Sequence, residues 1–455
     1  MTSASGRALA FVLMLIVCAT CLPMAAQQAP QAIANDAVND LAARRFSKVE
    51  SRFDDRMQSA MPQEKLSAVW DSVLDKTGAF QHIVGSHVVE QQGYQVVFVT
   101  CEFKFASLDI RMAVNSRGQI AGLYFVPAGS APAAQSWSAP DYAKPNSFHE
   151  LDVTVDSGAW KLPGTLTLPN GKGSFPALVL VHGSGPEDQD ESIGPNKPFK
   201  DLAWGLASQG FAVLRYVKRT KQYGAQSVKP GAAFTVNDET VDDARAAVAL
   251  LAARADIDHN QIYVLGHSEG GTLAPRIASG DKQVAGIIIA AGAVRPLQDL
   301  VLAQLKYIAS LPGADKEQLK KQIDEAEQAK REIEDPGLKP DSTVNLLGSH
   351  IPGSYFLDLR NYHPAETAAQ LGIPILVLQG GRDYQVTSQD YDLWKAALAK
   401  DPRATLKFYP DLTHLFMKTK SSGPASPADY SIAGHVSETV VEEIAQWIKG
   451  NGTGK

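Results

Sequence analysis

Six residues, Gly266-His267-Ser268-Glu269-Gly270-Gly271, constrain this chain more than any other stretch. They follow a short apolar run, Ile262-Tyr263-Val264-Leu265, and open a segment of helical character from Thr272 to Ser279. Gly-x-Ser-x-Gly between a strand and a helix predicts a sharp turn that lifts the serine hydroxyl clear of a sheet. The glycines leave room where a Cβ would meet the adjoining strand and helix. The N–H that follows the serine, that of Glu269, then sits at a helix N-terminus and faces developing negative charge. The Glu269 side chain has two readings, receptor of a substrate amine or solvated residue of the turn. The second is the expectation adopted.

A serine hydroxyl is a weak nucleophile near neutral pH, so it needs a base, and the base needs an orienting acid. Asp383 ends Gln379-Gly380-Gly381-Arg382-Asp383, just past the strand-like run Ile375–Leu378. His414 ends Leu412-Thr413-His414, a few residues past the run Thr405–Phe408. Both fall on loops at strand C-terminal ends, and the chain order is serine, acid, histidine. Competitors are placed elsewhere. His435 begins the last helix and His363 belongs to an insertion, both expected in solvent; Asp390 sits inside a helix and Asp411 caps a turn. A second glycine-rich turn, His182-Gly183-Ser184-Gly185-Pro186, follows the run Ala177–Val181 and exposes backbone N–H groups. Ser184 is the expected partner of Glu269 in holding an oxyanion. Lys218 and Arg219, after the run Ala212–Tyr216, read as a surface pair in preference to a pair that steers an anionic substrate.

Around these motifs the pattern is α/β. Further strand runs fall at Leu151–Val155, Gly164–Leu168 and Gly286–Ala290, the first two forming a hairpin. Helical stretches cover Lys200–Gln209, Asp238–Ala255, Gly270–Ser279, Gln389–Lys400 and Val436–Lys449. Continuous apolar runs such as Leu178-Val179-Leu180-Val181 predict parallel strands covered on both faces. The expectation is a mostly parallel eight-stranded sheet within residues 148–449, with a charged insertion at about 293–365 forming a helical cap. Residues 31–128 read as a small α+β domain, helices first and then strands. His82 and His87 there are expected on the surface or in turns. Residues 129–147, rich in Ala, Pro and Ser, read as a linker. Arg7, the apolar run Ala8 to Ala19 and the small residues before Gln27 predict an export signal over 1–26. With the signal removed, Cys101 stands alone, so no internal disulfide is expected. A balance of 43 basic against 49 acidic residues without a basic block argues against nucleic acid as a partner.

The stretch 148–449 resembles the α/β-hydrolases of the serine aminopeptidase-like and esterase group. The resemblance rests on His182-Gly183-Ser184-Gly185-Pro186, Arg215-Tyr216-x-Lys218-Arg219, the Ser268 motif, Gly381-Arg382-Asp383 and His414. The N-terminal segment resembles an NTF2-like domain of unknown function that precedes such enzymes in exported bacterial proteins. The resemblance implies acyl transfer to water through an acyl-enzyme, on a small ester or acyl substrate, with neither metal nor cofactor. An ester is the first expectation and an amide the alternative; a non-catalytic binding protein is the least favoured. For the N-terminal domain, assembly of like chains or control of substrate access is expected rather than catalysis, and no stable membrane association is expected once the signal is cleaved.

Overall fold

The computed structural model describes residues 29–91, 94–127, 137–228, 233–419 and 423–452. The expected export signal lies outside them. Helices α1 (Pro30–Ala42), α2 (Phe46–Glu50), α3 (Asp55–Ala60) and α4 (Gln63–Thr77) come first. An antiparallel meander follows: β1 (Phe80–Gln91), β2 (Tyr94–Phe103), β3 (Ser107–Val114) and β4 (Ile120–Pro127). Alternation along β2 turns Val97, Val99, Cys101 and Phe103 into a core shared with Val38, Leu41 and Trp70 of the helices. His82 and His87 lie within β1 rather than in turns, because that strand starts well before the apolar Val88-Val89. The His87 ring stacks on Phe98 of β2, centroids 5.1 Å apart.

The larger sheet has eight strands, as expected. β5 (Phe148–Ser157) and β6 (Trp160–Pro169) form the hairpin, and β7 (Phe175–Val181) follows. Then come α5 (Pro198–Ala207), β8 (Ala212–Tyr216), α6 (Arg219–Tyr223), α7 (Asp242–Ala252), β9 (Ile257–His267), α8 (Glu269–Ala278) and β10 (Val284–Ala290). The spatial order is β14-β13-β10-β9-β7-β8-β6-β5, with β13 (Ile375–Gly380) and β14 (Ala404–Tyr409) from the end of the chain. Every pairing is parallel except the two made by β6. Alternate residues of the central strands feed separate cores. Val179, Val181 and Ile287 pack on one face, and Leu178, Leu180 and Ile288 on the other. This double burial accounts for the unbroken apolar runs.

The insertion after β10 departs from the purely helical expectation. It holds α9 (Leu297–Ser310), α10 (Lys316–Glu334), a hairpin of β11 (Thr343–Leu346) and β12 (Ser349–Pro352), α11 (Gly353–Arg360) and α12 (Pro364–Gln370). Leu347-Gly348, both at positive φ, turn the hairpin. After β13 come α13 (Ser388–Leu398), β14 and finally α14 (Glu438–Gly452).

Residues 137–147 do not behave as a free linker. The Trp137 indole N–H donates to Asp201 at 2.8 Å, and its ring meets Trp204 edge-on, centroids 5.0 Å apart. The Tyr142 hydroxyl donates to the Val436 carbonyl at 2.8 Å. Two aromatic side chains amid small residues are enough to fasten this segment across α5 and the start of α14.

Candidate active site

Ser268 occupies the turn between β9 and α8 at φ 53° and ψ −116°, a conformation that a β-carbon makes costly. Its amide donates to the Ala290 carbonyl at 2.9 Å, which ties the turn to β10. The glycines are sterically required. A Cβ on Gly266 would lie 2.0 Å from the Gly270 carbonyl oxygen, and one on Gly270 would lie 2.3 Å from that of Val181.

Asp383 and His414 meet as the sequence order suggests. His414 Nδ1 and Asp383 Oδ2 are 2.6 Å apart, both side chains buried. Asp383 Oδ1 accepts the N–H groups of Gln385 and Val386 at 2.8 and 2.9 Å, and Gln379 Nε2 donates to Oδ2 at 3.3 Å. A carboxylate held by that many donors has one orientation. It accepts a hydrogen bond from the Nδ1–H of His414, which leaves the Nε2 lone pair free to act as a base. His267, next to Ser268, lies against that imidazole, ring centroids 4.6 Å apart, and its Nε2–H donates to the His414 carbonyl at 2.9 Å. No hydrogen bond joins the Ser268 hydroxyl to the imidazole in this structure; such contacts commonly tighten only around bound substrate.

Ser184 and Ser268 line one cavity of about 410 Å³, as does Glu269. Among the described residues, no other group accepts the Ser184 or the Glu269 N–H. Leu273 of α8 and the cap residues Leu297, Leu300, Val301, Ile333 and Phe356 make the wall apolar. The insertion therefore forms the roof of the site.

Several expectations are corrected here. Glu269 is not a solvated turn residue, and Lys218 and Arg219 are not a surface pair. Arg219 is buried and paired with Asp243. Lys218 Nζ is buried among three oxygens: the Gly183 carbonyl at 2.8 Å, Glu239 Oε1 at 3.0 Å and Glu269 Oε2 at 3.2 Å. Burial opposes its charge, but Glu239 and Glu269 outweigh burial and raise its pKa. The Tyr355 hydroxyl, on α11, lies 2.8 Å from Glu239 Oε2 and 2.9 Å from Glu269 Oε1. The hydroxyl thus bridges the two carboxyls. Burial, with Glu239 beside it, raises the Glu269 pKa against the pull of Lys218. The sequence placed Lys218 in a motif and on the surface, and gave no sign of Glu239 or Tyr355.

Glu191, which the sequence reading missed, is a second buried anchor. Its Oε1 accepts the Gly183 N–H at 2.6 Å, and its Oε2 forms an ion pair with His267 Nδ1 at 2.9 Å. The rejected competitors lie elsewhere. Asp390 holds the Arg295 guanidinium at 2.6 Å, and Asp411 is exposed. His435 is not free in solvent, since its Nδ1 lies 3.1 Å from Asp201. His363 is exposed, at the cavity rim.

A serine on a strained strand-to-helix turn, with an Asp–His pair at the same edge of a mostly parallel sheet, defines a serine hydrolase of the α/β-hydrolase fold. The chain belongs to the family described as serine aminopeptidase, S33, which matches residues 177–420. Residues 34–123 match a family described as a protein of unknown function, DUF3887. The chain is 37% identical over 411 residues to esterase EstD of Thermotoga maritima, covering 90% of this chain and 93% of that protein. Among solved structures, Est1E of Butyrivibrio proteoclasticus is 17% identical with a TM-score of 0.44, over 66% of this chain and 99% of that one. An esterase of Pyrococcus furiosus is 18% identical with a TM-score of 0.43, over 69% and 94%.

Proposed function

We propose that this protein hydrolyses carboxylic esters through an acyl-enzyme, with Ser268 as nucleophile, His414 as general base and Asp383 as its orienting acid. The observation that carries this reading is the 2.6 Å Asp383–His414 pair packed against the Ser268 turn beside an apolar cavity. His414 takes the hydroxyl proton as Ser268 attacks the carbonyl, and the N–H groups of Ser184 and Glu269 receive the oxyanion. His414 then returns the proton to the leaving alcohol, and water enters by the same route to release the acid. The cavity suits an ester with a modest apolar acyl or alcohol group, and the esterase activity named for the Thermotoga relative supports the same class.

The amide alternative rested on Glu269 receiving a substrate ammonium. A carboxyl already engaged by Lys218 and Tyr355 is not free to receive one, which favours the ester. Ser268→Ala is expected to lower p-nitrophenyl ester hydrolysis by more than about 10⁴-fold and to abolish fluorophosphonate labelling. Wild-type turnover in that variant overturns the assignment. Aminoacyl anilides are expected to be poor substrates beside the esters.

We also propose that the enzyme is exported, on the strength of Arg7 and the apolar run that follows, and that the N-terminal domain serves assembly or substrate access. Sequencing the N-terminus of protein from an exporting host tests the first. Comparing oligomeric state and ester chain-length profile with and without residues 27–135 tests the second.

A further inference from the structure

We propose that Lys218 is a positioning residue for the oxyanion site: by holding the Gly183 carbonyl it aims the Ser184 N–H at the Ser268 hydroxyl. The inference rests on the serine-hydrolase reading above. The Gly183 carbonyl and the Ser184 N–H belong to one peptide unit, and no peptide bond in the described chain is cis. In a planar trans unit the two groups point in opposite directions. Lys218 Nζ meets that carbonyl at 2.8 Å, on the buried side of the loop. The Ser184 N–H is thereby turned the other way, toward the cavity that Ser184 and Ser268 both line.

The preceding peptide is held as well, since the Gly183 N–H donates to Glu191 at 2.6 Å. Gly183 is thus gripped at both its N–H and its C=O by buried charged side chains from different parts of the chain. It lies hard against the nucleophile, where a Cβ on it would be 3.2 Å from Ser268 Cβ. The ammonium has no spare hydrogen: its other two contacts are Glu239 and Glu269, at 3.0 and 3.2 Å. Glu269 supplies the second oxyanion N–H from its own backbone, so one ammonium is bound to the peptide carrying one donor and to the side chain of the residue carrying the other. A charge buried this completely with three fitted acceptors costs a great deal to desolvate. A surface pair would have served stability at lower cost, so the geometry points to alignment of the donors.

The test compares kcat and KM for a p-nitrophenyl ester in the full chain, using wild type, Lys218→Met/Glu239→Gln and Ser268→Ala. The paired substitution removes one positive and one negative charge together, so the net charge of the buried cluster is unchanged. Expected is a fall in kcat of about 100-fold, with KM changed by less than about 3-fold, because a displaced donor is missed mainly in the transition state. Inhibition by a phenylboronic acid, which forms a tetrahedral anion on serine, weakens by a similar factor. If the paired variant does not fold, Lys218→Arg keeps the charge while its wider head displaces the Gly183 carbonyl, and the same split of kcat from KM is expected. Wild-type kcat in either folded variant, beside an inactive Ser268→Ala, overturns this proposal alone. Turnover in Ser268→Ala overturns the hydrolase reading instead.

Discussion

Glu191 has φ 51°, unfavourable for a residue with a β-carbon, and a carboxylate buried between Gly183 and His267. Burial alone would lower the His267 pKa, but Glu191 more than offsets it and raises the imidazole to about 8. A raised histidine stabilises the fold fully below its unfolded value of 6.5, and that contribution is lost as pH rises through about 8. The displacement corresponds to about 2 kcal/mol. Two other buried groups act at lower pH and oppose each other. Burial holds His182 down to about 4, which makes stability rise with pH up to 6.5. Burial pushes Glu187 up to about 7, which makes stability fall with pH from 4.5. Thermal melts are therefore expected to lose several degrees between pH 6.5 and 9, and His267→Gln to lose most of that slope, His435 beside Asp201 supplying the rest. Asp383→Asn keeps the shape of the site but lets the imidazole settle in the wrong tautomer; kcat is expected to fall by about 10⁴-fold in ester assays at pH 7.

The turn from β9 into α8 is the element on which the site depends, and its glycines differ in kind from those on the surface. A Cβ on Gly266 would strike backbone at 2.0 Å, and backbone cannot swing aside. Gly266→Ala is expected to cost more than about 4 kcal/mol and to yield little soluble protein. Gly280, at φ 81° with nothing within 4 Å of its would-be Cβ, is constrained only by its backbone. Gly280→Ala is expected to cost about 1 kcal/mol, measured by urea unfolding. In the cap, α9, α10 and α11 all turn apolar residues toward the cavity. Tyr355 on α11 reaches down to Glu269, so the roof is bonded to the residue next to Ser268.

On the scale of the whole chain, the catalytic unit extends beyond the hairpin at which its sheet starts. Trp137, with Lys200 4.4 Å above its ring, and Tyr142, hydrogen-bonded to Val436, belong with it. A chain beginning at residue 137 is expected to melt like the catalytic unit of the full protein. One beginning at 148 is expected to lose at least about 3 kcal/mol, read by chemical denaturation, because two aromatic anchors go with the segment.

The strands of the large sheet, the turn at Ser268 and the pairing of Asp383 with His414 were legible because each depends on local spacing. Apolar runs, a glycine on either side of a serine, and loops ending successive strands state their geometry within a few residues. What tertiary structure decided is the company of Gly183, Lys218 and Glu269. Glu191, Lys218, Glu239 and Tyr355 come from separate stretches and look like ordinary polar residues in sequence. Whether a lysine is solvated or holds a peptide carbonyl, and whether the Glu269 carboxyl meets solvent or other side chains, depends on burial and on partners distant along the chain. Such partners meet only once the sheet, the turn and the cap have closed around them.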